Sequence, residues 1–329
     1  MKFQISNFKF RISLTGMLFL LGSLYVQAAN VPGESQLHEK ADGMVERGNY
    51  FYAKERYEEA IRDYKKAVAM DPGYVWSYYN LGRTYEQLHR KEDAIEAYQG
   101  AIKADATVAV VHNNLGILYE DRGNLDTAIF EYLEAIHLDS KFAPAYANLG
   151  NAYYNQGNFE KARENFEKAT QLDPESPYGY NNLGNAYTKL GRLDDAIREY
   201  NKALEIAPKL AYVLNNLGNA YIQKNDANFA IVNLNKAKDL DPKNPFIYDN
   251  LGDAYRLEGK IDGAIQNYEE AIKQDPEFYL AYFKLGKIYA GKDKQKAIEY
   301  FSKFLKFAKT DSLRKEVESI LNKLKKGDQ

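Results

Sequence analysis

One spacing constrains this chain more than any other feature. Glycine recurs at Gly48, Gly82, Gly116, Gly150, Gly184, Gly218, Gly252 and Gly286, each step being 34 residues. Alanine keeps the same step at Ala60, Ala94, Ala128, Ala162, Ala196, Ala230 and Ala264, then recurs at Ala297 after 33. Such a chain builds one small unit eight times, and no unit can bury its apolar face without a neighbour. Let the units start at Ala41, Val75, Ala109, Ala143, Pro177, Ala211, Pro245 and Tyr279. Apolar or aromatic residues then fall mostly at positions 4, 7 and 11, small ones at 8, 20 and 27, and a large one at 24. Positions 4, 7, 8 and 11 share one helical face, as do 20, 24 and 27, so each unit predicts two helices. Small residues let the pair approach closely and large ones fill the space beside them.

Turn chemistry agrees. Gly123, Gly157, Gly191 and Gly259 sit at position 15, where a left-handed residue ends the first helix. Pro72, Pro174, Pro208, Pro242 and Pro276 at position 32 stop the second. Ala106 and Ser140 replace proline in units two and three, which leaves those junctions less tightly specified.

The period and its signature residues resemble the tetratricopeptide repeat family. Unit four shows them as Tyr146, Leu149, Gly150, Tyr153, Ala162, Phe166, Ala169 and Pro174. The resemblance covers residues 41–310. It implies an all-α fold, a right-handed α-solenoid superhelix of eight helix-turn-helix units, and a binding architecture for protein partners. Departures gather at the ends, as stacking with one missing neighbour requires. Arg47 stands where the other units have Leu, and unit eight is one residue short with Phe304 in place of Ala. Leu313, Val317, Ile320, Leu321 and Leu324 mark one face of a predicted capping helix in 311–329.

If positions 4, 7, 8 and 11 pack, positions 2, 5, 6, 9, 12 and 13 form the other face of the first helix, which the resemblance places along a concave groove. Position 6 carries Asn80, Asn114, Asn148, Asn182, Asn216 and Asn250 in six consecutive units. A carboxamide offers an acceptor and two donors, so a row of them suits the C=O and N–H groups of an extended peptide; it equally suits hydrogen bonds to neighbouring helices. The row resembles the asparagine ladder of the O-GlcNAc transferases, through Asn113-Asn114-Leu115-Gly116, Asn181-Asn182-Leu183-Gly184 and Asn215-Asn216-Leu217-Gly218, with no counterpart of the transferase's catalytic domain. Asn49, Asn151, Asn185 and Asn219 at position 9 thicken the polar stripe. Tyr79 and Tyr154 are expected to offer aromatic contact area there, while Trp76, Tyr178, Tyr212 and Phe246 at position 2 are expected to pack partly on the preceding unit. The face is acidic early (Asp42, Glu46, Glu86, Glu120, Asp121 against Arg83) and more basic late (Lys189, Arg256, Lys284, Lys287 against Asp249, Asp253), which would orient a bound chain. The carboxylate clamp of chaperone-docking relatives needs Lys at position 5 and basic residues at positions 2 and 6 two repeats later; no unit has Lys at 5 or a basic residue at 2.

Composition excludes much of the rest. With no cysteine, the chain has no disulfide, thiolate metal site or cysteine nucleophile. Its 44 Lys and Arg against 46 Asp and Glu give no reason to expect nucleic acid or an anionic membrane as partner. The four histidines are scattered, with His112 at packing position 4, and there is no phosphate loop or nucleophile elbow. The expectation is therefore a non-catalytic scaffold without metal, cofactor or small-molecule substrate, binding a protein or extended peptide. The alternative is a structural assembly subunit that uses its convex face or ends, or self-associates. Lys2, Lys9 and Arg11, an apolar stretch to Val26 and the sequence Val26-Gln27-Ala28 predict a signal peptide over 1–28, followed by a short lead-in at 29–40. That implies export, to the periplasm in the first instance, with secretion or anchoring by an uncleaved leader as alternatives.

Overall fold

A computed structural model describes residues 32–308 and 311–326. The leader and its cleavage point lie outside the described residues. Seventeen α-helices and no strand are found among the described residues. From repeat two onward the first helix starts at position 1 of each repeat: Val75–Gln87, Ala109–Asp121, Ala143–Asn155, Pro177–Lys189, Ala211–Gln223, Pro245–Leu257 and Tyr279–Tyr289. In repeat one it begins earlier, at Pro32, and runs to Ala53, so residues 32–40 extend that helix. The second helices are Tyr57–Met70, Lys91–Ala104, Leu125–Leu138, Phe159–Leu172, Leu193–Ile206, Ala227–Leu240, Ile261–Gln274 and Lys294–Phe307.

The glycine period has a steric cause. A Cβ added to Gly184 would lie 2.6 Å from the Tyr200 ring, and one added to Gly116 would lie 2.6 Å from that of Tyr132. Both rings are fully buried. The small residue at position 8 and the large one at 24 are thus one lock between the paired helices.

Position 15 has positive φ in each of the first seven repeats. Besides the four glycines, Glu55 (58°), His89 (57°) and Asn225 (61°) adopt it. The junctions between repeats use a residue whose role is not apparent from proline spacing: the Asp at position 31. Asp71 and Asp139 accept the backbone N–H two residues on, at 3.0 and 2.9 Å. Asp105 does the same at 2.8 Å. The repeats that lack proline therefore still close their turns.

The array divides into two compact units, 32–174 and 175–326, of four repeats each. Within them, successive first helices pack directly on one another, repeat one on two, three on four, five on six and six on seven; no two second helices make a comparable contact among the described residues. In each unit the first-helix side is therefore the crowded, inner side. The final helix, Asp311–Lys326, buries Val317 and Leu321 against a cluster with Phe301, Phe304 and Ala308, and Leu313, Ile320 and Leu324 pack around it. The Arg314 guanidinium donates to the Ala308 carbonyl at 2.9 Å.

Candidate binding face and its amide ladder

The asparagine row lies on the first-helix side, and the structure turns most of it into the stack. Asn148 Nδ2 donates to Asn113 Oδ1 of the preceding repeat at 2.9 Å. Asn250 does the same to Asn215 at 2.9 Å. Asn216 reaches both Asn181 at 3.0 Å and Asn185 at 3.2 Å. In these three the position-6 amide donates to position 5, and in Asn216 also to position 9, of the repeat before it; where position 5 holds no amide the partner differs, as in Asn114, which donates to the Tyr98 hydroxyl at 3.4 Å. Asn148, Asn182 and Asn216 are 0, 1 and 1% exposed. Asn114 and Asn250 are also buried, as are Asn151, Asn185 and Asn219 at position 9; Asn80 alone of the row is half-buried. Asn113, Asn181 and Asn215 carry half of this arrangement, and the sequence signal for them was the first Asn of each Asn-Asn-Leu-Gly stretch.

The last repeat junction keeps the geometry and changes the chemistry. Asp249, Asp253 and Lys284 occupy positions 5, 9 and 6, and Lys284 Nζ lies 2.8 Å from Asp249 and 2.5 Å from Asp253. An amide pair becomes a buried ion triad. Burial opposes the charge on Lys284, but the two carboxylates outweigh it and hold the ammonium above its ordinary range. Burial also lifts the Asp249 carboxyl, against the pull of Lys284. Lys284, expected as groove charge, is engaged inside the stack.

The tyrosines at position 24 contribute more than volume. Tyr64 donates to Asn49 at 2.7 Å, Tyr200 to Asn185 at 2.8 Å and Tyr268 to Asp253 at 2.8 Å, tying the second helix to position 9 of the first. Burial pushes the phenols of Tyr64 and Tyr268 well above their usual range, so they stay protonated donors. Packing periodicity did not reveal this; the choice of Tyr over Phe at position 24 was the signal.

Of the two tyrosines expected to line the groove, Tyr79 is buried against Trp76 and Tyr98, and Tyr154 against Phe159. The position-2 aromatics Trp76, Tyr178, Tyr212 and Phe246 remain half-buried, and Tyr178 and Tyr212 stack at 6.2 Å with planes 7° apart. Several early acids are engaged in the fold: Asp42 accepts from Tyr74 at 2.6 Å, buried Glu86 from Tyr98 at 3.2 Å, and Glu120 from Tyr132 at 2.9 Å. A pocket of 180 Å³ opens between repeats one and two, lined by Asn49, Tyr52, Ala53, Tyr64, Asn80 and Arg83.

Comparison with known proteins agrees with this architecture. A pattern described as TPR repeat matches residues 48–88, 118–157, 150–191, 184–225, 218–256 and 252–293; two described as tetratricopeptide repeat match 77–107 and 280–307. Among solved structures, the chain is similar to YrrB, described as a TPR protein with an unusual peptide-binding site, at 25% identity over 58% of this chain and 98% of that one, with a TM-score of 0.50. It shares its fold with a chain of the APC/C hetero-tetramer Cut9-Hcn1, at 19% identity over 88% of this chain and 58% of that one, TM-score 0.60. It also shares it with pilF of Pseudomonas aeruginosa, at 21% identity over 64% and 96%, TM-score 0.57. No curated protein gives a significant match. An all-α array of eight paired helices, locked at positions 8 and 24 and matched along most of its length, makes this chain a member of the tetratricopeptide repeat family, a scaffold for protein–protein interaction.

Proposed function

We propose that the chain binds an extended segment of another protein along its first-helix face. The observation that carries this is the set of half-buried aromatics at position 2 of the first helices, Trp76 in one unit and Tyr178, Tyr212 and Phe246 in the other. Rigid aromatic side chains give large contact area at low entropic cost. The likeness to YrrB, described as having a peptide-binding site, supports the same reading. The buried asparagines then serve recognition by holding successive repeats in register, so that the face is preorganised. Peptides selected from a displayed random library should bind the protein, and Trp76→Ala together with Tyr212→Ala should weaken them at least tenfold with an unchanged helical signal. Failure to select any peptide, or equal affinity in the variants, would refute the reading.

A second reading rests on the opposite side. Phe130 and Leu133 on one second helix, and Phe229 and Val232 on another, are about half exposed. Single exposed apolar residues are ordinary, but pairs one turn apart favour contact with another protein or a second copy. Molecular mass that rises with concentration in light scattering, and is lost in Phe130→Asp, would favour it. We also read the chain as exported, with cleavage after Ala28 and a periplasmic address; amino-terminal sequencing of the protein from its source checks this.

A further inference from the structure

We infer that the second-helix side joins copies of this chain: the basic second helix of repeat eight, Lys294–Phe307, docks on the acidic second helix of repeat three, Leu125–Leu138, of another copy. This rests on the second reading above. The first observation is that charge is segregated along a chain whose total nearly cancels. Residues 279–329 carry 13 Lys and Arg against 6 Asp and Glu, whereas residues 109–142 carry 2 against 6. Among the eight second helices, Leu125–Leu138 alone has no Lys or Arg, and Lys294–Phe307 has the largest excess of them, four against Glu299. Opposite potentials steer and hold two surfaces, and the complement of each face is present on every copy.

The second observation is the matching order of groups along the two helices. On Leu125–Leu138, Asp126, Phe130 and Glu134 follow at four-residue steps and so share one face, with Leu133 beside them. Phe130 and Leu133 are 57 and 45% exposed, Asp126 is exposed and Glu134 half-buried. Asp126 accepts from the neutral Gln156 at 3.1 Å, and neither acid pairs with a Lys or Arg among the described residues. On Lys294–Phe307 the exposed Lys296 and Lys303 bracket the half-buried Tyr300 in the same way. Lys296 Nζ lies 5.0 Å from the Tyr289 ring centre and Lys303 Nζ 5.9 Å from that of Tyr300. Tyr289 and Tyr300 stack at 5.5 Å, so the rings fix where the ammonium groups stand. Lys296 and Lys306 pair with no carboxylate among the described residues, while Lys303 holds Glu299 at 2.7 Å. A rise of 1.5 Å per residue puts the two acids about 12 Å apart and the two lysines about 10.5 Å apart, each pair with an aromatic ring between. Laid side by side, the helices set two ion pairs around a contact of Phe130 and Leu133 with Tyr300 and Phe307, an apolar centre with a charged rim. Because the two faces differ, each contact leaves one of either kind free, and association continues beyond a pair.

The test follows the mass of the full chain with concentration by light scattering. Mass should rise past that of two chains and fall as salt is added. Lys296→Glu with Lys303→Glu makes both faces acidic, and Asp126→Lys with Glu134→Lys makes both basic. Each variant, with an unchanged helical signal, should associate at least about tenfold more weakly, and an equal mixture of the two should associate again. Asp126→Lys alone, at an exposed residue, repeats the second measurement without altering Glu134, whose charge acts on His112. Native association in either charge-reversed variant, or a mixture that stays at the mass of one chain, would overturn the assignment. So would binding of phosphatidylglycerol vesicles, lost in the lysine variant, by a protein whose mass never rises: the basic face would then take a membrane. The two readings fail separately. Growth that Phe130→Asp abolishes and both charge reversals leave intact keeps the contact through Phe130 and removes this pairing of faces; a mass of one chain at every concentration removes self-association altogether.

Discussion

Asn216 shows what the asparagine row does at the level of one residue. Its amide nitrogen donates to two oxygens of the preceding repeat, and its side chain is 1% exposed. Removing it leaves the buried Asn181 oxygen without this donor, while Asn185 keeps that of Tyr200, so we expect Asn216→Ala to cost about 2 kcal/mol in urea unfolding and Asn80→Ala, at a half-buried side chain, much less. Equal effects would contradict the ladder. The row itself was legible in the sequence, since one residue type held one position in six repeats. Its direction was not, because the partner of each amide lies a full repeat away and only the stacking decides which face of the carboxamide meets it. His112 is a second case. Its Nδ1 lies 2.7 Å from a Glu131 carboxylate oxygen and its Nε2 3.2 Å from the Ala106 carbonyl. With the carboxylate and the carbonyl both accepting, the doubly protonated ring is the form this pocket satisfies. Burial opposes that charge, but Glu131, the Ala106 carbonyl and the more distant Glu134 outweigh it and raise the imidazole above its ordinary value. A raised folded value means the stabilisation is complete below the unfolded value of about 6.5 and is lost as pH rises through the folded one. The melting advantage of the native protein over His112→Gln should shrink along that rise; a constant difference would show that the ring is not charged in the fold.

At the level of the helix and its turn, the repeat is a compromise that the sequence displays only in part. The left-handed residue at position 15 was readable wherever it is glycine. Asn225 and His89 are types that tolerate this region and signal it only weakly, and at Glu55 nothing in the side chain announces it; there the conformation is imposed by the neighbouring helices, which must reverse direction at the same point in every repeat. A non-glycine residue pays conformational strain there. His89→Gly should therefore raise stability by about 0.5–1 kcal/mol, less than the full strain because glycine also frees the unfolded chain, whereas Gly191→Ala should lower it by about 1 kcal/mol. Thermal unfolding of the two variants checks the opposite signs. The junction aspartates make the same point from the other side: Asp105 and Asp139 close turns that looked under-specified when proline was taken as the only signal.

Across the whole molecule, each repeat lends its apolar face to the next, and the ends need separate solutions. At the carboxyl end, Lys284 between Asp249 and Asp253 fixes repeat eight on repeat seven, and Val317 and Leu321 cover Phe301 and Phe304. Deleting residues 311–329 uncovers these aromatics, so the truncated protein should melt at lower temperature and grow in light-scattering mass with concentration. A melting curve and mass unchanged from the full chain would show that the final helix is dispensable.

What the sequence determined by itself was the unit, its length and its two-helix form, because a strict period with small and large residues at fixed positions admits only one kind of packing. It also located the face on which polar and aromatic residues gather. The tertiary structure decided which of those residues are available. A side chain on that face can point into the stack or away from it, and the choice depends on what the preceding repeat offers: an acceptor amide at Asn181 draws Asn216 inward, a carboxylate pair at Asp249 and Asp253 draws Lys284 inward, and Val45 draws nothing. Asn80, whose preceding repeat has Val45 at position 5, stays half-buried on the wall of the pocket between repeats one and two.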